Sequence, residues 1–466
     1  MMNKRPNILL IHADQHRFDC VGANGCALPV TPNIDRLAAE GMNFTRAFTP
    51  APICVPERNS LMHGCWPCRH LCLANQGTEA PRPPAGELPT WSRQMHDAGY
   101  ALDFLGQWHD RSDRNPLDSS YGFDTFFPDS RYGAWRAEQG LPPRPNRNSW
   151  FGEADDAIRP EQSRLAWVAD AVIDRLRARA ANPGQPFLIR WDPVEPHLPN
   201  IVPEPYASRF DPASIKPWGS FGDPLEGKPA IQRQQLLSWK LDGRTWEEWA
   251  PTVARYLGEI SLLDAQVGRV LDELDRLGLA DDTLVIYTCD HGDMCGSHGM
   301  IDKHYVMYDD VTHVPFVARW PGHIAPGSVC SDFISHSLDM AATFVDLAGA
   351  ARPDTFQGMS LAPAFAGGSL PGRDAMMSQY FGNQFGLFSQ RMIRDARWKY
   401  VWNPVSIDEL YDLEADPWER VNRASDPVCA GELARLRKRL AAWLSEVGDP
   451  LLNGFTRVQL EEGRKL

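Results

Sequence analysis

The segment from Cys54 to Arg58 combines a potential nucleophile with a cation at helical spacing. Pro56 suits the first turn of a helix, which places Cys54 at or near the N-cap. There the backbone N–H groups and the helix dipole favour an anion or a nucleophile with developing negative charge. Arg58 would follow in the first turn, where its planar guanidinium could bind an oxyanion. The alternative is a buried cysteine at a loop-to-helix junction beside a solvated arginine, because so short a pattern also occurs by chance.

Each of two aspartates, Asp14 and Asp290, directly follows an apolar run that predicts a buried strand, at 7–13 and 283–289. In a parallel sheet, ligands collect at the carboxyl ends of the strands. The two aspartates are therefore expected to be neighbours in space although they are far apart in sequence. The alternative is that each aspartate only caps the turn that follows its strand.

Strand and helix patterns alternate through most of the chain, which predicts an α/β fold with a mostly parallel sheet covered by helices on both faces. The first helix is predicted to begin with Thr31 as N-cap and Pro32 at the first helical position, and to end at Gly41. Further helices are predicted at 88–98, 162–181 and 251–277, and further strands at 100–105, 186–191 and 314–318.

Two later regions have a different character. Residues 200–247 are rich in Pro, Gly and Trp, which predicts long loops of the kind that often carry substrate specificity. After residue 373, short strands at 375–381, 390–393 and 398–402 precede a final helix at 430–447. We therefore expect a catalytic domain over 1–373 and a smaller C-terminal α+β subdomain over 374–466 with a short antiparallel sheet.

The composition excludes several classes of protein. The chain has 466 residues, 43% of them hydrophobic, and a net charge of −13, which is a globular and not a disordered composition. No apolar run approaches the roughly 20 residues that cross a bilayer, so no membrane partner is expected. The acidic balance also argues against nucleic acid as a partner. A few local cations could still bind a small anion.

The cysteines and the N-terminus bear on the compartment. The first apolar run is too short for a signal peptide, so we expect a cytoplasmic protein, or a periplasmic or secreted one if a leader has been removed. Among ten cysteines, Cys65, Cys68 and Cys72 cluster without a fourth metal ligand at a recognised spacing, which favours simple thiols over a metal site. The spacings do not indicate a disulfide framework. The oligomeric state is left open.

Several motifs in order resemble the formylglycine-dependent (type I) sulfatase family of the alkaline-phosphatase superfamily. Cys54, Pro56 and Arg58 match the Cys-x-Pro-x-Arg pattern of that family. The other matching segments are PNILLIHADQ (6–15), TPNIDRLA (31–38), GQWH (106–109), PHLP (196–199), DHGDMCGSHG (290–299) followed by Lys303, and LYDLEADP (410–417). Because the matches span nearly the whole chain, the resemblance implies an alkaline-phosphatase-like sheet sandwiched by helices.

The resemblance also implies a metal site. Its ligands would be Asp14, Gln15, Cys54, Asp290 and His291. Carboxylate and amide oxygens suit a hard divalent cation, which is most often calcium in this family. The imidazole of His291 is less typical of calcium and leaves manganese open.

The family converts this cysteine to formylglycine by a separate enzyme, so Cys54 would need a formylglycine-generating or an anaerobic sulfatase-maturating enzyme as partner. A hydrated aldehyde carries two hydroxyls on one carbon. One attacks the sulfur of a sulfate ester, and the other then expels sulfate as the aldehyde forms again. A plain cysteine could not expel sulfate in this way.

The remaining site residues are assigned by the same resemblance. Arg58 and Lys303 would supply positive charge to the ester, and His109 would support the hydrated aldehyde or its elimination. His197 would donate a proton to the leaving oxygen. The family's lysine in the GQWH element is Gln107 here, so a cation is missing close to the nucleophile.

The missing lysine leaves two explanations. Either a neighbouring cation, His304 or His313, compensates for Gln107, or the substrate differs. The preferred function is hydrolysis of a sulfated carbohydrate or another small sulfate ester. The alternative is a phosphonate monoester or phosphodiester hydrolase of the same superfamily. A silent glycan-binding protein is disfavoured, because Cys54 and the proposed metal ligands are all present.

Four tryptophans in loop-like stretches could stack against sugar rings. They are Trp135, Trp150, Trp218 and Trp239. For most of them the preferred interpretation is that they pack the loops onto the sheet.

Overall fold

A computed structural model of the chain describes residues 5–75, 88–109 and 114–465. The first four residues, on which part of the compartment expectation rests, lie outside this description. No helix within these ranges is long and apolar enough to cross a membrane.

The described residues form sixteen β-strands and thirteen α-helices. The strands are β1 (Asn7–Ala13), β2 (Met42–Phe44), β3 (Ala47–Phe48), β4 (Ala101–Gly106), β5 (Thr125–Pro128), β6 (Glu153–Ala154), β7 (Phe187–Asp192), β8 (Ile201–Val202), β9 (Thr283–Cys289), β10 (Phe316–Arg319), β11 (Ser328–Cys330), β12 (Ile334–Ser335), β13 (Ala375–Asn383), β14 (Gly386–Asp395), β15 (Trp398–Trp402) and β16 (Glu409–Asp412). The helices are α1 (Pro32–Ala39), α2 (Cys54–His63), α3 (Pro67–His70), α4 (Trp91–Asp97), α5 (Tyr132–Glu138), α6 (Arg164–Ala180), α7 (Ala230–Trp239), α8 (Trp246–Arg276), α9 (Asp309–Thr312), α10 (His336–Ala348), α11 (Ala362–Phe365), α12 (Ala430–Val447) and α13 (Arg457–Glu461).

The central sheet has eight strands in the order β11-β2-β10-β9-β1-β7-β4-β5. Its middle strand β1 pairs in parallel with β7 and β9, and Ile11 lies opposite both Trp191 and Tyr287. The predicted mostly parallel sheet is thus confirmed. The strand predicted at 314–318 is present as β10, but it runs antiparallel to β9 and β2.

Two groups of helices cover this sheet. Helices α1 and α6 each pack on α8, and α2 and α4 each pack on α10. The central strands β1 and β9 are buried except for Asn7, which explains their nearly continuous apolar runs. A second sheet follows, with the antiparallel order β13-β14-β15-β16, and α12 packs on its strands β14 and β15. This agrees with the predicted C-terminal antiparallel sheet.

Several local predictions need correction. The helix predicted at 251–277 begins at Trp246, because Thr245 and Glu248 form a capping box and Pro251 is tolerated inside the helix. The predicted loop region 200–247 contains helix α7. The hydrophobic pattern of α7 is weak because two of its buried side chains, Gln232 and Gln235, are polar, so periodicity does not reveal it. The short helix α13 after α12 was also not predicted.

The start of α1 differs in detail from the prediction. Thr31 holds the N-cap position, but its side chain makes no capping bond. Its hydroxyl instead accepts from the N–H of Gly22. The carboxylate of Asp264 on α8 caps the helix, because it accepts from the N–H groups of Asn33 and Ile34. A long-range partner has therefore replaced the local one.

Candidate active site

The carboxyl ends of β1 and β9 bring Asp14 and Asp290 together. Ala13 and Cys289 lie opposite each other in the parallel ladder, so the aspartates that follow them are neighbours. Both side chains are fully buried. The backbone N–H of Gln15 donates to Oδ1 of Asp290 at 3.0 Å, which ties the two strand ends together.

Cys54 is the first residue of α2 and points at this pair of carboxylates. Its Sγ lies 3.2 Å from Nε2 of His291 and 3.7 Å from Oδ1 of Asp14. Asn75, which the sequence did not suggest, donates to Sγ at 3.7 Å. Burial and the charge of Asp14 raise the pKa of the Cys54 thiol well above its usual value. The unmodified side chain is therefore a neutral thiol and a poor nucleophile.

Four side chains form a cluster with the chemistry of a metal site. Ligand atoms of Asp14, Cys54, Asp290 and His291 all lie within 4.8 Å of one another and are buried. Burial, with the nearby charge of Asp290, raises the pKa of Asp14 to about 6. Nδ1 of His291 lies 2.9 Å from the carbonyl of Gly292, which leaves Nε2 for the cluster. Two adjacent buried carboxylates and an oriented imidazole suit one divalent cation.

Gln15 lies beside the cluster in a constrained conformation. Its φ of 67° is in the left-handed region, which is uncommon for a residue other than glycine. Its Nε2 donates to Oδ2 of Asp293, and its Oε1 accepts from Nζ of Lys303 at 2.7 Å. The amide oxygen, which the sequence predicted to be a metal ligand, accepts a hydrogen bond from Lys303 in this structure.

Arg58 lies within a cage of three buried carboxylates. Its Nη2 is 3.1 Å from Asp14 and 3.0 Å from Asp290, and its Nη1 donates to Asp192 at 2.6 Å. Sequence reasoning missed Asp192. It ends β7, so the strand-end rule that found Asp14 and Asp290 could have found it as well.

A second buried cluster, formed around Glu57, contacts the first turn of helix α2. Oε1 of Glu57 lies 3.1 Å from Nε2 of His336 and 3.5 Å from Nε2 of His12. Ser337 donates to the same carboxylate oxygen. These contacts were not predicted, although Glu57 lies inside the Cys-x-Pro-x-Arg pattern. They fix the first turn of α2, which carries Cys54.

His197 and Lys303 form a pair next to Gln15. Their Nε2 and Nζ atoms lie 2.7 Å apart, and Nδ1 of His197 lies 2.5 Å from the carbonyl of Leu198. Burial and the Lys303 charge lower the pKa of His197 to about 4. Lys303 also lies 3.2 Å from Asp302.

Gln107 and His109 follow strand β4. Nε2 of Gln107 lies 3.4 Å from Nδ1 of His109. Burial and the charge of Arg58 lower the pKa of His109 to about 3, so this ring is neutral. The backbone N–H of Gln107 donates to the carbonyl of Asp192 at 2.8 Å, which places it next to the strand end that holds Arg58.

Neither histidine considered as a replacement cation lines the small cavity beside Gln107. Nε2 of His304 lies 2.9 Å from Asp302. His313 stacks on Phe18 and Phe48 with its Nε2 at 3.0 Å from the carbonyl of Thr45. The structure instead puts Arg190 against that cavity.

The tryptophans and cysteines mostly serve packing. Trp218 donates to the carbonyl of Cys295 and lies against Arg17, and Trp135 packs on Tyr132. Trp150 and Trp239 contact each other edge to face, and Trp150 is 49% exposed. All ten cysteines are free thiols, and the three at 65, 68 and 72 are buried as simple thiols.

Comparisons with known proteins agree with this geometry. The family model for sulfatases matches residues 6–350, and a model for the C-terminal part of N-sulphoglucosamine sulphohydrolase matches residues 296–446. The chain belongs to the sulfatase family.

Individual relatives span nearly the whole chain. An arylsulfatase of Clostridium perfringens is 27% identical over 97% of this chain and 98% of its own length. An N-acetylglucosamine-6-O-sulfatase of Bacteroides thetaiotaomicron is 26% identical over 95% of this chain and 86% of its own. The crystal structure of a phosphonate monoester hydrolase of Agrobacterium radiobacter superposes with a TM-score of 0.82 at 29% identity, covering 95% of this chain and 96% of that one. The fold is therefore the alkaline-phosphatase-like one.

Proposed function

We propose that the protein is a formylglycine-dependent sulfatase that hydrolyses a small sulfate ester or a sulfated carbohydrate. The observation that carries this proposal is the position of Cys54 in one buried cluster with Asp14, Asp290 and His291, whose two carboxylates also contact the cation Arg58. A nucleophile beside a metal site and a buried cation is what hydrolysis of an anionic ester requires. The relatives named as sulfatases support the same reaction.

The proposed cation site uses Asp14, Gln15, Asp290, His291 and the modified Cys54. Calcium is favoured by the oxygen ligands, and manganese remains the alternative because of His291. When bound, the cation would lower the pKa of the nucleophile and neutralise charge on the ester. In the described residues the two adjacent carboxylates give the site the negative charge that such an ion needs.

Cys54 would be converted to formylglycine by a maturation enzyme before the protein is active. Burial and Asp14 raise the pKa of the unmodified thiol, which is therefore a poor nucleophile and would not replace the modified side chain in the reaction. The modified side chain would supply a hydroxyl that attacks sulfur and a second hydroxyl that allows sulfate to leave.

The remaining roles follow from the contacts of each side chain. Arg58, held from behind by Asp192, would bind an oxygen of the ester, and Lys303 would bind a second one. His197 would deliver a proton to the leaving oxygen. Its Nε2 accepts from Lys303 at 2.7 Å, so the proton delivered to the leaving oxygen would come from the Lys303–His197 pair.

A second candidate is hydrolysis of phosphonate monoesters or phosphodiesters. Two observations favour it: Gln107 replaces the lysine expected near the nucleophile, and His291 joins the cluster. The similarity to the Agrobacterium radiobacter phosphonate monoester hydrolase adds weight to this alternative. Esters of sulfur and phosphorus have similar tetrahedral shapes, so the same machinery could accept both.

The deciding experiment is a ratio of rates on protein whose Cys54 conversion has been verified by peptide mass. We would compare kcat/KM for an aryl sulfate and for the matching aryl phosphonate monoester, with Cys54→Ala as control. A preference for the sulfate supports the sulfatase proposal and leads to sulfated sugars as the next substrates. A preference for the phosphonate supports the second candidate function, hydrolysis of phosphonate monoesters or phosphodiesters. No turnover of either ester by converted protein contradicts both.

A further inference from the structure

A small cavity of about 10 Å³ lies beside Gln107, between helix α2 and the ends of β4 and β7. Gln107, Arg58 and Arg190 contribute to its wall. A cavity of this volume has room for about one water molecule. It lies on the side of the active site where the family resemblance expects a lysine.

Three polar atoms around this cavity are buried and have no hydrogen-bond partner among the described residues. They are Oε1 of Gln107, Nη1 of Arg190 and Nε of Arg58. One is an acceptor and two are donors. A single water could accept from both guanidinium groups and donate to the amide oxygen, which would satisfy all three. The three atoms are therefore complementary in hydrogen bonding, with one acceptor on Gln107 and one donor on each arginine.

Arg190 is rigidly held in this position. It lies on β7 opposite Phe104 of β4, and its side chain is 2% exposed. Its Nε and Nη2 donate to the two oxygens of Asp192, each at 2.7 Å. Only Nη1 is left for the cavity. Asp192 also accepts from Arg58 at 2.6 Å, so its oxygens have no room for a further cation.

We propose that Arg190 is the cation that replaces the missing lysine on this side of the site. It acts from β7 through the cavity on Gln107. It thereby determines which charge the side chain of residue 107 can carry. The inference rests on the proposed ester hydrolysis. Arg190 is a positioning residue, because it pairs with Asp192 and shares the cavity with Gln107, and would not touch the ester itself. Nε2 of Gln107 lies 3.4 Å from Nδ1 of His109, and the amide oxygen is the group left without a partner.

The proposal reverses the simple expectation for Gln107→Lys. If the lysine were only lost, restoring it would raise activity on sulfate esters. With Arg190 and Arg58 already at the cavity, a third buried cation has no acid partner and displaces the amide acceptor. We expect Gln107→Lys to lower kcat/KM for the preferred ester by about tenfold or more, since groups aligned on the ester tolerate little displacement.

The test is a charge swap. In Gln107→Lys combined with Arg190→Gln, the number of buried cations returns to that of the wild type, and the new lysine can pair with Asp192. We expect the double variant to recover most of the kcat/KM lost by Gln107→Lys, although Arg190→Gln alone also impairs the protein. Effects that simply multiply would overturn the proposal, because uncoupled sites behave additively in free energy.

A second measurement does not depend on activity. The melting temperature should fall in Gln107→Lys and fall less, or rise, in the matched variant Gln107→Glu, whose carboxylate can pair with Arg190. The swap should restore part of the loss of Gln107→Lys. Equal shifts for the lysine and glutamate variants would overturn the proposed contact even if the enzyme proves inactive. If wild-type protein with converted Cys54 hydrolyses no ester, the proposed function fails, while these melting temperatures still test Arg190.

Discussion

Nζ of Lys303 lies 2.7 Å from Nε2 of His197, and the other nitrogen of this ring faces the carbonyl of Leu198. A ring nitrogen that faces a carbonyl carries the hydrogen, so Nε2 keeps its lone pair and accepts from the ammonium group. This tautomer agrees with a pKa of about 4 for His197. At neutral pH the proton between these two nitrogens therefore resides on Lys303.

The role of His197 can be tested with leaving groups of different quality. We expect His197→Ala to lower kcat by about 10²- to 10⁴-fold for alkyl esters, whose alkoxides need a proton as they leave. Activated aryl esters, which leave without help, should lose much less. Steady-state kinetics over a series of leaving groups measures the difference. Equal losses across the series would contradict a proton-delivery role.

Cys54→Ala tests the covalent mechanism. Turnover should fall to background, because neither a thiol nor an aldehyde can form at this position. The fold should persist, with the free energy of unfolding changed by no more than about 2 kcal/mol, since one small buried side chain is shortened. Kinetics and urea unfolding give the two quantities. A folded Cys54→Ala protein that retains activity would exclude Cys54 as the nucleophile.

Asp293 should control the affinity for the metal ion through Gln15. Its carboxylate accepts from Nε2 of Gln15 and so fixes the orientation of the amide, whose oxygen accepts from Lys303. We expect Asp293→Ala to weaken binding of Ca²⁺ or Mn²⁺ by about 10- to 100-fold, as is typical when a partner of a ligand is removed. Isothermal titration calorimetry measures this.

The matched control is Asp293→Asn, whose side-chain oxygen can still accept from Gln15. It should keep most of the affinity if orientation of the amide is the cause. The same loss in both variants would indicate that the charge of Asp293 matters and not its hydrogen bond. Unchanged affinity in both would remove Gln15 from the proposed metal ligands.

His70, which lies outside the active site, should make the free energy of unfolding depend on pH. Burial, together with His63, lowers its pKa well below 6.5, and its Nδ1 accepts from the N–H of Cys72 at 3.1 Å. Below pH 6.5 the unfolded chain takes up a proton at His70 that the folded chain does not. The stability that the neutral ring contributes is thus complete above this pH and is lost as the pH falls.

The comparison of wild type with His70→Gln isolates this effect from other titrating groups. Urea unfolding at about pH 7.5 and about pH 5 should show a smaller loss of stability on acidification in the variant. The variant is expected to be less stable at the higher pH, because it loses part of the buried hydrogen bonding. A pH dependence identical to that of wild type would show that His70 is not the responsible group.

Much of the fold and of the candidate site can be predicted from the sequence, because short local patterns determine where the reactive side chains lie along the strands and helices. The strands that end at Asp14 and Asp290 are continuous apolar runs, and such runs are buried in a parallel sheet whatever their neighbours. Pro56 places Cys54 at the start of a helix. The boundaries of β9 and α12 were also predicted without error, since periodicity and a flanking glycine act over a few residues.

The tertiary structure decided the contacts between residues that are distant in sequence. The pairing of Asp192 with Arg190 and Arg58, of Lys303 with His197 and of Gln15 with Asp293 is not marked by any pattern in the sequence. Helix α7 escaped prediction for the same reason, because its buried Gln232 is satisfied by Glu409, 177 positions away. Hydrophobic patterns specify which face of an element is buried, whereas the partner of a buried polar group depends on how the elements pack. The sequence therefore determined which residues reach the end of the sheet, and packing decided how each of them is oriented and charged.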